Sequence, residues 1–156
     1  MAKKKWIDVI MMTKPEIEEF LKNNRHGILA LAGDKPYAIP MGYTYVKGTV
    51  LMGVITSGRK VKCMKASNKV CFTVCKPRWE SPKMKDRCTT CVMEGTLVEV
   101  NDKERTAVYG FKSAPLPGMQ LHKLKVSRMG ARKCNRRPCE FDGQIMAAAE
   151  KEQSKG

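Results

Sequence analysis

The passage from an apolar run into a basic segment is the most informative part of the sequence, where residues 50–60 are VLMGVITSGRK. The apolar run has strand length and ends in a loop with two hydroxyl side chains and a glycine, and Arg59 and Lys60 then open a helical pattern. Backbone amides at a helix N-terminus, hydroxyl donors and cations together can bind a phosphate group. The passage therefore predicts a strand, a turn and a short helix, with an anion site at the turn.

Strand-like runs lie on both sides of this turn. Six of them have strand length and composition: residues 27–32, 37–46, 49–55, 69–76, 92–100, and a last run from about 123 to Arg128. Turn residues separate the first three, which suggests a three-stranded meander, and Gly130 predicts a turn after the sixth. The intervals are too short for parallel crossovers, so the pattern predicts a mainly β, six-stranded antiparallel barrel, closed or partly open.

Helical signals are few and short. Thr13-Lys14-Pro15-Glu16 is a capping-box pattern with proline in the first turn, and it predicts a helix over residues 14–24. A short helix is expected after Gly58, and a third over residues 103–111, capped by Asn101 or Asp102. Residues 113–118 read as a linker, and the polar tail has a short alanine-rich helical possibility.

Composition limits the class of protein. The chain has 156 residues, a formal net charge of +15, 42% hydrophobic residues and 6% aromatic residues. These values fit one globular domain and exclude a wholly disordered chain or a fibre. No apolar run of about 18 residues is present, so no membrane span is expected. The seven cysteines, an odd number, and the lack of a signal-peptide pattern predict a reducing cytoplasmic location.

Positive charge is concentrated in two stretches without acidic residues, 59–78 and 123–137. Either stretch can face an anion or can be a solvated basic surface. One functional alternative is therefore a basic barrel that binds nucleic acid through residues 123–137. Against it, the strands lack paired exposed aromatics for base stacking, and Tyr43 and Tyr45 come nearest to such a pair.

The cysteines offer a second alternative, a metal-stapled binding module without catalysis. The four candidates for a zinc or iron–sulfur site are Cys88, Cys91, Cys134 and Cys139. In a fully extended strand Cys88 and Cys91 would lie on opposite faces, with Cα atoms about 10 Å apart, so a shared metal requires Cys88 to sit in a turn. Free, partly buried thiols without a metal are the other interpretation.

The ordered set of motifs resembles a known family. GILAL at 27–31, PYAIP at 36–40, GRK at 58–60, VCF at 70–72 and MGARK at 129–133 stand in the order seen in the FMN-binding split-barrel family. This family includes pyridoxamine-phosphate-oxidase-like flavoproteins, and the pattern is nearest to its nitroimidazole-resistance branch. The resemblance covers residues 13–133, so it sets residues 1–12 apart as an N-terminal extension and residues 134–156 as a tail.

The resemblance implies a homodimer of split barrels that holds FMN at the subunit interface. The residues that match the flavin cradle are Pro40, Met41, Gly53, Val54 and Ile55 for the ring, and Gly58, Arg59 and Lys60 for the phosphate. Lys60 is the best match for the direct phosphate cation. The implied activity is that of an oxidoreductase acting on an unidentified small substrate, with a deazaflavin as the alternative cofactor.

One position departs from the branch pattern. Members of the nitroimidazole-resistance branch usually have a histidine five residues before the glycine of Gly-x-Lys, and this chain has Gly53 there. Any proton or electron delivery by that imidazole is therefore absent. Redox chemistry carried by the flavin itself does not require the histidine.

Overall fold

The computed structural model describes residues 9–77, 88–134 and 140–155. Its strands are β1 (Val9–Met11), β2 (His26–Leu31), β3 (Tyr37–Gly42), β4 (Thr44–Val46), β5 (Thr49–Ile55), β6 (Lys69–Lys76), β7 (Thr89–Glu99) and β8 (Met119–Cys134). Its helices are α1 (Lys14–Asn23), α2 (Arg59–Ala66), α3 (Asp102–Ala107) and α4 (Glu140–Gln153). No helix in this part of the chain is long and apolar enough to cross a membrane.

All strand pairs are antiparallel, and they form one curled sheet. The hydrogen-bonded order is β3-β2-β6-β7-β8-β5-β4, and β1 pairs with the far end of β8. The two ends of this path, β3 and β4, follow one another along the chain with Tyr43 between them. Because neighbouring segments of the chain stand at opposite edges of the path, the sheet must curl round on itself. This split-barrel architecture confirms the predicted mainly β fold class, but the described residues form eight strands where six were predicted.

The barrel interior is apolar because the strands alternate. In β6, Val70, Phe72 and Val74 point inward and are buried, while the residues between them are more exposed. The Tyr43 ring packs edge-on against Phe72 with 5.5 Å between ring centroids. Its hydroxyl donates to the Leu21 carbonyl at 2.9 Å, so α1 is held against the barrel.

Residues 37–46, predicted as one strand, form β3 and β4 instead. The Tyr43 N–H donates to the Arg25 carbonyl at 2.8 Å, and the ring is only 5% exposed. The chain therefore changes partners at Tyr43, since β3 pairs with β2 and β4 pairs with β5. The predicted pairing of this run with both of its neighbours is present, but it is divided, because β3 and β5 share no ladder in the described sheet.

The last strand is longer than predicted. β8 continues through Gly130, which lies opposite Val92 rather than in a turn. The continuous pairing with β7 satisfies the backbone of β8 as far as Lys133, so the chain has no reason to turn at Gly130. A register shift between Glu94 and Gly95 is the one irregularity in this ladder.

The N-terminal extension and the tail, which lie outside residues 13–133, both contain regular structure. Residues 9–11 of the N-terminal extension form β1 and pair with residues 132–134. The tail contains α4, in line with the helical possibility in its sequence. α1 and α2 begin where the sequence predicted, whereas α3 ends at Ala107 instead of residue 111. Asn101 caps α3 by accepting from the Glu104 N–H at 2.8 Å.

Candidate functional site

The turn from β5 into α2 has the local geometry of an anion site. Gly58 precedes the helix with φ of +93°, a conformation that favours glycine, and a Cβ there would meet nothing within 4 Å. No side chain of the described residues caps the N-terminus of α2. The first amides of this helix are therefore left for solvent or for an anion.

This turn is fixed at its start by a contact with the residue that precedes β8. The Thr56 N–H and hydroxyl both donate to the Gly118 carbonyl, at 2.9 and 3.1 Å. The hydroxyl of Thr56 is therefore occupied, while Ser57 is exposed beside it. Of the two hydroxyl donors in the sequence pattern, Ser57 is the one that stays available to an anion.

Two cations stand at the N-terminus of α2, where the helix dipole disfavours them. The Lys60 Nζ lies 3.7 Å from the Met41 Sδ in a partly buried position, and the Arg59 guanidinium stacks 4.3 Å above the Tyr37 ring. No acidic residue is present in the first turn of α2. Within the described ranges neither cation forms an ion pair with a carboxylate. A bound anion would compensate both charges and the dipole.

The residues matched to the flavin ring divide between two faces of the barrel wall. Met41 and Val54 point into the core and are 7% and 1% exposed, so beyond the contact of Met41 with Lys60 they offer mainly backbone. Pro40 is exposed on β3, and Ile55 is 52% exposed at the end of β5. The structure thus brings Met41 and Lys60 together and places Gly53 on the opposite, outward side of β5.

Met119 occupies the space beside Gly53. A Cβ built at position 53 would lie 2.5 Å from the Met119 Sδ, well inside contact distance. Gly53 pairs with Leu121 across the β5–β8 ladder, and Ile55 pairs with Met119. A thioether therefore stands where a larger side chain at position 53 would have to go.

Two adjoining clefts open on this outward side of β5. One, of about 430 Å³, is lined by Gly53, Arg105, Met119, Leu121 and residues 110–115, and is called the Arg105 cleft below. The other, of about 370 Å³, includes Arg25 and Leu51, and it shares Gly53, Phe111 and Leu121 with the first. A larger concavity of about 850 Å³ surrounds Gly95 and Val126, but it contains none of the predicted site residues.

Arg105 is a site residue that the sequence did not single out. Its position in the charged segment Asp102-Lys103-Glu104-Arg105 is typical of a solvated helix face, yet the residue is only 7% exposed. Burial arises because the chain after α3 folds back, so that the Ser113 carbonyl accepts from the Arg105 Nη1. No local sequence pattern predicts that the chain folds back over Arg105 in this way.

The described cysteines do not assemble a metal centre. Cys91 is fully buried in the core, where burial raises the pKa of its thiol to about 11. Cys88 precedes β7, and its carbonyl accepts from the Cys134 N–H at 2.9 Å. Among the described residues no three His, Cys, Asp or Glu side chains are grouped to hold a metal ion. Cys139 lies outside the described residues, so the four-cysteine arrangement is not tested.

The aromatic residues nearest to a nucleic-acid platform do not provide one. Tyr43 points into the core, and burial raises the pKa of its hydroxyl above the ordinary value. Tyr45 is half-buried and packs against the core. Tyr43 is therefore not available to stack on a base.

Fold and turn together define a split-barrel protein with uncapped amides and two cations at the start of α2. The sequence profile of the pyridoxamine 5'-phosphate oxidase family matches residues 13–131, and the chain belongs to this family. The resemblance found in the sequence motifs is thereby confirmed. No curated protein sequence matches the chain.

Solved structures share the fold at low sequence identity. An FAD-binding protein from Mesorhizobium loti superposes with a TM-score of 0.61 and 19% identity, over 80% of this chain and 97% of that protein. The FAD-binding protein from Mycobacterium smegmatis gives 0.62 and 16%, over 80% and 98%. A protein from Bacteroides thetaiotaomicron named for 5-nitroimidazole antibiotic resistance gives 0.64 and 15%, over 83% and 90%. Flavin-binding proteins are thus among the structures with this fold.

Proposed function

We propose that this protein binds FMN and acts as an oxidoreductase on a small substrate. The observation that carries the proposal is the N-terminus of α2, where Gly58, Arg59 and Lys60 combine open amides with two cations that lack a carboxylate partner in the described chain. A terminal phosphate matches these groups in charge and hydrogen bonding. Family membership and the FAD-binding proteins of the same fold support a flavin as the molecule that carries this phosphate.

Each matched residue then has a separate role. Lys60 pairs with the phosphate, Gly58 leaves room for it, and Arg59 lies beside it on Tyr37. Backbone groups of β3 and β5 at Met41 and Val54 line the ring, since their side chains belong to the core. When bound, the isoalloxazine ring supplies the electron transfer. Gly53 and Met119 contribute no acid or base, so near them the chain orients a substrate and excludes water.

A homodimer in the cytoplasm completes the proposal. The outward face of β2, β6 and β7 carries Ile28, Thr73 and Val92 in one row across the sheet. Ile28 is 44% exposed there and Val92 is half-buried, so the row presents apolar surface to a partner. A second copy is the occupant that the resemblance implies, with the flavin at the interface between copies.

The first test is the visible absorption spectrum of the purified full chain, with any released chromophore identified by mass spectrometry. The mass separates FMN from FAD and from a deazaflavin, and FMN is the expected result. A colourless protein that also fails to take up added FMN would contradict the proposal.

A second test isolates the phosphate site. Lys60→Ala removes one charge-assisted hydrogen bond, which is worth about 1.5–3 kcal/mol, so FMN affinity should fall by about 10-fold or more. Lys65→Ala removes an exposed charge from the last turn of the same helix and should leave affinity nearly unchanged. Riboflavin, which has no phosphate, should bind the wild type and Lys60→Ala equally. Flavin fluorescence titration measures all of these, and equal loss of riboflavin binding would rule out a phosphate role for Lys60.

A further inference from the structure

The Arg105 cleft contains a buried cation with unused hydrogen-bonding capacity. Arg105 is 7% exposed, its Nη1 donates to the Ser113 carbonyl, and its Nη2 lies 3.3 Å from the Asp102 Oδ1. Its Nε is buried and has no hydrogen-bond partner in the described structure. Buried polar groups are nearly always paired, so the unpaired Nε leaves the guanidinium with donor capacity that Ser113 and Asp102 do not use.

The charge of Arg105 is only weakly compensated. Asp102 is its one ion-pair partner among the described residues, and the Asp102 side chain is 90% exposed, so solvent screens this pair strongly. Among the described residues that line the cleft, Lys112 is the other charged one, and none is a carboxylate. The cleft therefore has a positive potential and favours an anion.

The remaining walls are apolar. Phe111, Pro115, Met119 and Leu121 line the cleft together with the backbone of Gly53. A volume of about 430 Å³ lies within the range of small-molecule sites. Aromatic rings pack favourably against phenylalanine and methionine, and a carboxylate is the planar partner of a guanidinium.

We propose that the Arg105 cleft binds a small aromatic carboxylate, with the carboxylate at Arg105 and the ring between Phe111 and Met119. This rests on the proposed function in one respect. Gly53 belongs both to the cleft and to the proposed flavin site along β5, so a ligand of the cleft would lie beside the flavin and would be the substrate of the oxidoreductase. The cleft itself requires no flavin to bind its ligand.

The test is calorimetric titration of the full chain, as purified, with benzoate and with the neutral isostere benzamide. Wild type should bind benzoate saturably at one site per chain and benzamide at least 10-fold more weakly. Arg105→Met keeps an unbranched stem that reaches about as far as the arginine Nε but removes the charge, and it should weaken benzoate binding at least 10-fold. Lys103→Met removes an exposed charge from the same helix and should change binding less than twofold. Equal binding by wild type and Arg105→Met, or no saturable binding by wild type, overturns the proposal.

A second variant guards against misfolding of Arg105→Met. Ala114 is exposed and lines the cleft, so Ala114→Trp fills the cleft while Arg105 keeps its contacts. Benzoate binding should be lost with the melting temperature unchanged, and retained binding would contradict the assignment. Because the titration does not depend on flavin, a colourless protein that binds benzoate rejects the flavin and retains the cleft. A flavoprotein that fails to bind benzoate rejects the ligand proposed for the cleft and retains the flavin.

Discussion

Position 53 shows how a missing side chain shapes a site. Glycine there allows the Met119 thioether to lie against the backbone of β5, and the same pair lines the Arg105 cleft. The sequence showed that this position lacks the histidine of the nitroimidazole-resistance branch, which the chain resembles. It did not reveal that Met119, 66 residues later in the chain, already fills the space beside position 53.

Gly53→His should therefore destabilise the protein unless Met119 is shortened. Because the obstacle is a flexible thioether that can move, the cost should lie at the low end of the about 1–3 kcal/mol of unfolding free energy that overpacking costs. The double variant Gly53→His with Met119→Ala should recover at least half of the loss, because the space beside position 53 is then vacated. Urea unfolding measures both, and a double variant no more stable than the single one would show that Met119 is not the obstacle.

At the scale of elements, α1 is attached to the sheet by one ion pair. Glu16 accepts from the Thr13 N–H at 2.8 Å within the capping box and pairs with Lys133 on β8. The hydrogen bond from Lys133, and then that from Thr13, lowers the pKa of Glu16 from 4.5 to about 2. A carboxylate with a lowered folded-state pKa stabilises the fold above its unfolded pKa, and this contribution is lost as pH falls through the folded value.

Acid unfolding should reveal this contribution of Glu16. The stability difference between wild type and Glu16→Gln should be full near pH 6 and should shrink steadily between about pH 4.5 and pH 2, following the cited pKa. Urea midpoints measured across this pH range test it. Glu19→Gln, an exposed carboxylate on the same helix, serves as the control and should show a smaller change. A Glu16→Gln difference that is independent of pH would contradict the pairing with Lys133.

The bulge between β7 and β8 depends on glycine for a different reason from the turn at Gly58. A Cβ at Gly95 would lie 2.1 Å from the Lys125 carbonyl oxygen, and backbone cannot move aside as a side chain can. Gly95→Ala should cost about 1–3 kcal/mol or more of unfolding free energy. Gly130→Ala, on the next strand, adds a Cβ that meets nothing within 4 Å and should cost much less. Equal unfolding free energies for the two variants would contradict the close approach.

At the scale of the whole molecule, the outward-facing row of Ile28, Thr73 and Val92 predicts self-association. Ile28→Glu should shift the protein from dimer to monomer in sedimentation velocity, because a buried unpaired charge at an interface is strongly unfavourable. Val108→Glu is the matched control, since both residues are 44% exposed but Val108 follows α3, away from that row. A wild type that sediments as a monomer at all concentrations would remove the dimer from the proposal.

The sequence by itself determined the elements whose signals are local. The cap and proline of α1, the alternation of β6 and the turn into α2 all depend on residues within a few positions of each other, and the structure has them where the pattern put them. Long-range contacts decided the rest. Tyr43 divides a predicted strand because its ring enters a core made by distant strands, and β8 passes Gly130 because β7 lies beside it.

The same division holds for the site. Gly58, Arg59 and Lys60 are adjacent in sequence, so their joint position at a helix start could be predicted. The Arg105 cleft could not, because residues 110–115 become its wall only when the chain folds back over α3 onto β5 and β8. Hydrogen-bonding and capping signals act over a few residues, whereas burial is a property of the packed chain as a whole. Only the tertiary structure therefore places Arg105, a charged residue of α3, as the buried cation of a cleft.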